Sequence, residues 1–157
     1  GDLKLLDSAF HPSKSVEEMV ATLRSDGSEL AMSLADHMVN KCSPTSLKLS
    51  LELFRRGAVM DDPADIFTME YYATQAAMHH GDFATGVTAL LIDKTNKPKW
   101  NPATLEEVTP EMIEAFFKPA TPTTPKWAPG TTHEAAVAAA MSIPPASASV
   151  STNNKSS

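Results

Sequence analysis

From residue 15 to 26 the apolar positions fall on one helical face: Val16, Met19, Val20 and Leu23 stand at i, i+3, i+4 and i+7. Ser15, with Glu18 three places on, is the signature of a capping box, in which each side chain serves the other's otherwise unpaired N–H. Gly27 stops this helix and Ser28 caps the next. That second stripe reads Leu30, Leu34 and Met38, flanked by Ala31 and Ala35.

The segment after Ser43-Pro44 carries two patterns. Leu47, Leu49, Leu51 and Leu53 alternate as in a strand, yet Leu47, Leu51 and Phe54 form a helical stripe that Leu49 and Leu53 widen. A hydroxyl cap followed by proline at the first helical position decides for helix. Asp62-Pro63 opens another helix, with Asp65 also near its positive end. Its seam is narrow and small: Ile66, Met69, Ala73, Ala76 and Ala77.

Gly81 ends that unit, and Asp82 is expected to cap a helix whose Val87, Leu90 and Leu91 face inward. Gly86 inside it costs about 1 kcal/mol against alanine, which close packing against another backbone would justify. Residues 94–102 have two prolines and no period, and read as an extended arm on the surface. Thr109-Pro110 starts a last helix with Met112, Ile113, Phe116 and Phe117 inward, and Pro119 ends it. The pattern is mainly α, with about six helices.

Composition shortens the part that can fold. The chain has 157 residues, but six of its 12 prolines fall after residue 118, among serines, threonines and alanines. Residues 119–157 therefore read as a disordered, low-complexity tail, with at most a transient helix over 135–141. Residues 1–118 form the helical region. Gly1 in place of Met suggests a processed chain or a fragment.

The net charge is −6, and the tail carries +1, so residues 1–118 hold −7. With no cationic cluster beyond Arg55-Arg56, a DNA-binding module is excluded. No apolar run is long enough to span a membrane. The opening residues are too short and acidic for a signal peptide. One cysteine, Cys42, makes neither an internal disulfide nor a cysteine-rich zinc site, which fits a reducing compartment or an organelle matrix.

Candidate chemistry is sparse. His79-His80-Gly81-Asp82 resembles a metal cluster, but adjacent helical histidines diverge by about 100° and no third one sits at ligand spacing. An exposed polar corner explains it better, and no metal is expected. Asp61, Asp62 and Asp65 are accounted for mostly by capping. Cys42 precedes a helix start, yet without a paired histidine it reads as a small, at least half-buried residue. Lys94, Lys97 and Lys99 beside Trp100 could meet a phosphorylated, adenine-bearing ligand. From composition alone, a solvated basic loop with Trp100 anchoring the arm is favoured.

A family resemblance then appears. Ser43-Pro44-Thr45-Ser46-Leu47-Lys48, Met69-Glu70-Tyr71, Asp82-Phe83-Ala84-Thr85-Gly86-Val87 and Leu91-Ile92-Asp93-Lys94 with Pro98-Lys99-Trp100 stand in order. They resemble the C-terminal helical region of 3-hydroxyisobutyryl-CoA hydrolases, within the enoyl-CoA hydratase/isomerase (crotonase) superfamily. The likeness runs over roughly residues 8–117.

The resemblance implies the helical C-terminal part of a crotonase-like fold. In that family a spiral of ββα units, in the larger N-terminal part, holds the oxyanion hole and the catalytic carboxylates. The chemistry it implies is acyl-CoA thioester hydrolysis in valine breakdown, in the mitochondrial matrix, with no cofactor beyond the CoA of the substrate. No catalytic residue carries over to this chain, which is expected to be inactive by itself. Its implied partners are acyl-CoA, the N-terminal spiral of the same protein, and possible further copies in a homo-oligomer.

By motif, Phe83 and Lys94 are the CoA-binding candidates, although Phe83 reads more readily as core. Two other functions stay open: a non-catalytic small-subunit component of the mitochondrial ribosome from the same family, and an enoyl-CoA hydratase or isomerase. The acidic balance of residues 1–118 speaks against broad RNA contact.

Overall fold

In the computed structural model, residues 2–118 are described; the tail expected over 119–157 lies outside them. Seven α-helices and one π-helical turn make up the regular structure: α1 (Asp2–Ala9), α2 (Val16–Asp26), α3 (Glu29–Asn40), α4 (Pro44–Gly57), α5 (Pro63–His79), α6 (Gly81–Val87), the π turn (Thr88–Ile92) and α7 (Pro110–Ala115). No strand occurs among the described residues. The mainly helical expectation holds. The additional helix, α1, is eight residues long, and only Ala9 of it is buried.

Local chemistry sets the helix ends. The Ser15–Glu18 capping box forms in full: the Ser15 N–H donates to Glu18 Oε2 at 2.7 Å, and the Glu18 N–H donates to Ser15 Oγ at 3.2 Å. Gly27 closes α2 in the left-handed region, at φ 70°, where a Cβ would be strained. Ser28, Ser43, Asp62 and Thr109 each cap the helix that follows, and proline takes the first position of α4, α5 and α7.

Two cores result. Ala9, Val20, Leu23, Ala31 and Ala35 join α1, α2 and α3, with Leu34 and Met38 packed at the edge. Leu49, Ala73, Val108, Ile113 and Phe116 join α4, α5 and α7. The segment after the arm links the two, placing Leu105 against the first core and Val108 in the second. Lys48 on α4 ties them further: its Nζ lies 2.7 Å from Glu17 Oε1 on α2 and donates to the Val108 carbonyl at 3.0 Å.

Two stripes are rotated from the pattern. On α3 the alanines are buried, while Leu30 is exposed. Small side chains let α2 and α3 approach closely, so Ala31 and Ala35 meet Leu23 and the leucines move to the flank. On α4, Thr45 and Leu49 are buried and Phe54 is 75% exposed. Leu49, expected only to widen the stripe, is its centre, because α5 and α7 both pack on that side.

Candidate functional site

A large apolar cleft of about 870 Å³ opens among the described residues. Thr45, Leu49 and Ala77 line it together with an apolar wall of Phe83, Val87, Leu90 and Leu91 from α6 and the π turn. Asn96, Pro98 and Trp100 of the arm also line it, as do the polar residues Cys42, Ser43, His80 and Asp82. This size and makeup, apolar with a few convergent polar groups, suits a small-molecule ligand.

The wall departs from expectation. Leu90 and Leu91 do not face inward; with Ile92 they are 59–69% exposed. Phe83 is not core either, at 51% exposed. Only Ala89 of this stretch is buried behind them. A periodic stripe reports where apolar residues stand, and says nothing of whether a further layer covers them.

The arm is an ordered strap. After the π turn, the Asp93 N–H donates to the Thr88 carbonyl at 2.8 Å and the Asn96 N–H to the Ala89 carbonyl at 3.1 Å. These bonds flank Lys94 and Asn96 at φ 53° and 52°, in the left-handed region that is uncommon for lysine and readily taken by asparagine. Lys94, Lys97 and Lys99 are exposed, and among the described residues none of them forms an ion pair. Trp100 seats its ring on α6: a Cβ added at Gly86 would lie 3.1 Å from Trp100 Cη2. The close approach at Gly86 is thus to an indole ring and not to another backbone.

The polar lining is built around Asp82. Its carboxylate accepts from the Ser43 hydroxyl at 2.5 Å and from the Asn101 N–H at 3.0 Å. Asp82 does not cap α6, as its sequence position suggests; His80 Nδ1 takes that place, accepting from the Asp82 N–H at 3.4 Å. Ser43, His80 and Asp82 do not form a nucleophile–base relay, because the serine donates directly to the carboxylate. Burial pushes the Cys42 thiol above its ordinary range, which disfavours the nucleophilic thiolate. Thr45 Oγ1 and Trp100 Nε1 are buried beside the cleft with no hydrogen-bond partner among the described residues.

His79, the last residue of α5, is exposed, whereas His80 follows in an extended conformation between α5 and α6 and is half-buried, its ring 5.4 Å from that of Phe116. No group of three potential metal ligands occurs among the described residues. Of the two CoA-binding candidates, Phe83 lines the cleft, whereas Lys94 is not among its lining residues and stands exposed at the root of the arm. The Asp82 clamp and the Gly86–Trp100 seat escaped sequence reasoning. Their one trace there was that all the partners fell in the quoted motifs or beside them.

Comparison with known proteins gives this cleft a context. Residues 2–117 match the family model described as enoyl-CoA hydratase/isomerase. The chain is 50% identical over 117 residues to the mitochondrial 3-hydroxyisobutyryl-CoA hydrolase of Gallus gallus, covering 74% of this chain and 30% of that protein. The Homo sapiens protein of the same name is 43% identical over 113 residues, covering 72% of this chain and 28% of the relative. The chain therefore spans about 30% of the length of these curated relatives.

Among solved structures, a carnitinyl-CoA dehydratase from Mycobacterium thermoresistibile superposes with a TM-score of 0.69 at 33% identity, covering 77% of this chain and 34% of that one. An enoyl-CoA hydratase from Rhodobacter sphaeroides 2.4.1 gives 0.65 at 28% identity, covering 76% and 36%. Helical architecture, motif order and a match along nearly all the described residues lead to one conclusion: the chain belongs to the enoyl-CoA hydratase/isomerase family.

Proposed function

We propose that this chain is part of a mitochondrial-matrix acyl-CoA thioester hydrolase acting on 3-hydroxyisobutyryl-CoA, and that it supplies one wall of the acyl-CoA pocket. The observation that carries this reading is the 50% identity over 117 residues to a hydrolase of that name. The solved neighbours are named for other reactions of CoA thioesters, at 33% and 28% identity. The substrate class is common to all of them, and the reaction is taken from the more similar relatives.

The cleft supports a division of labour. Phe83, Leu90 and Leu91 of the cleft offer apolar surface to the pantetheine and acyl portions, and Lys94, exposed at the root of the arm, offers a cation to the phosphates. In hydrolysis, water adds to the thioester carbonyl, the oxyanion collapses, and the CoA thiol leaves with a proton. Donors for that oxyanion, and the carboxylates that move the protons, belong on this reading to the family's N-terminal spiral. This chain holds substrate; it does not perform the chemical step.

The test is thiol release from 3-hydroxyisobutyryl-CoA by the native polypeptide that carries this sequence, alongside hydration of crotonyl-CoA. Hydrolysis outpacing hydration is expected. Hydration without thiol release would assign the sequence to the hydratases, and neither activity would assign it a non-catalytic role.

A further inference from the structure

Asp82 is the only buried acidic side chain among the described residues, and no cation pairs with it. A buried carboxylate is unfavourable unless donors hold it. Its donors come from two distant places in the chain: the Ser43 hydroxyl, which also caps α4, and the Asn101 N–H at the end of the arm. Gly86 follows four residues later, on the same face of α6. Asp82 therefore grips the backbone beside Trp100, while Gly86 receives the Trp100 ring. The far end of the arm is fixed independently, by the Asn96 N–H on the Ala89 carbonyl.

We propose that Asp82 and Gly86 are a positioning pair: together they seat Trp100 and the lysine arm, and so set the width of the cleft for its acyl-CoA ligand. Neither residue needs to touch the reacting atoms. The inference rests on the acyl-CoA reading for the identity of the ligand, but the seating of the arm is measurable without it.

Two readouts test it. The chain has two tryptophans, so Trp127→Phe leaves Trp100 as the sole reporter. In that background, Asp82→Ala is expected to raise acrylamide quenching of Trp100 at least twofold. Asp82→Asn, whose amide still accepts from Asn101 and can donate to Ser43 Oγ, is expected to restore the protected state. In the native polypeptide, Asp82→Ala is expected to raise KM for the acyl-CoA about tenfold, the scale of one charge-assisted hydrogen bond, with kcat within about twofold.

Unchanged quenching, or a fall in kcat at constant KM, overturns the positioning role. If Asp82→Ala does not fold, Gly86→Val displaces the same ring without exposing the carboxylate, and an unchanged KM there overturns it equally. Raised quenching in Asp82→Ala and restored protection in Asp82→Asn, in a polypeptide that hydrolyses no thioester, would leave the pair in place and remove the functional reading instead.

Discussion

The Trp100 indole fills the space that a side chain at Gly86 would need: a Cβ there would stand 3.1 Å from Cη2 and 3.4 Å from Cζ3. Two effects then oppose each other in Gly86→Ala. Helix propensity favours alanine by about 1 kcal/mol, and overpacking against a ring held through Asn101 costs about 1–3 kcal/mol. The variant is expected to lose about 1 kcal/mol in urea unfolding. Combined with Trp100→Ala, the same substitution should become stabilising by about 1 kcal/mol, and a cycle without that change of sign would refute the contact.

Two serine caps of the same chemistry should differ in cost. Ser15→Ala removes one capping bond on an exposed turn and is expected to cost about 1 kcal/mol. Ser43→Ala removes the α4 cap and also takes a donor from the buried Asp82 carboxylate. That variant is expected to cost more than about 2 kcal/mol. Equal midpoints in chemical denaturation would show that Asp82 finds another donor.

Acid should weaken the links between helices. At Glu17, burial raises the carboxyl's proton affinity, but the Lys48 ammonium, the Ser15 hydroxyl and backbone hydrogen bonding outweigh it, and the net shift is downward. Glu114 is lowered by its hydrogen bond from Arg56, which joins α7 to α4. Both carboxylates are thus more acidic folded than unfolded. Their stabilisation is present above the unfolded value of 4.5 and is lost as pH falls through the lowered folded values. Glu17→Gln is expected to be less stable than the parent at pH 7, with the gap closing under acid; a gap independent of pH would contradict this.

How much of this was legible along the chain depended on distance. Capping is settled within four residues, so the Ser15–Glu18 box, the Gly27 stop and the Ser43-Pro44 start were readable and occur as read. The capping signal also resolved the alternating leucines of α4 correctly as helix. Which side of a helix becomes core is decided by its neighbours, and there Phe54 and Leu49 exchanged roles. At Asp82, a local signal pointed to a helix cap, while contacts 39 and 19 residues away put the carboxylate to a different use. The cleft lay wholly on this longer scale: its apolar residues were visible in the sequence, but their exposure was not.

That exposure has a direct consequence for the chain by itself. Among the described residues Phe83, Leu90, Leu91 and Ile92 form an exposed apolar ridge, the kind of patch that soluble monomers rarely present. Purified residues 1–157 are expected to bind a hydrophobic dye strongly, to unfold with low cooperativity and to hydrolyse no acyl-CoA. Leu91→Glu with Ile92→Glu should cut dye fluorescence by about half. A sharply melting monomer indifferent to dye would show that the ridge is covered from within.

The central claim, that this chain walls the acyl-CoA pocket, is tested most directly by KM for 3-hydroxyisobutyryl-CoA in two phenylalanine variants of the native polypeptide. Phe83 and Phe54 are both more than half exposed, at 51% and 75%, but only Phe83 lines the cleft. Phe83→Ala is expected to raise KM about tenfold, as losing an aromatic contact of 1–2 kcal/mol would, and Phe54→Ala to leave it unchanged. An unchanged KM in Phe83→Ala, or equal increases in both, would contradict the account.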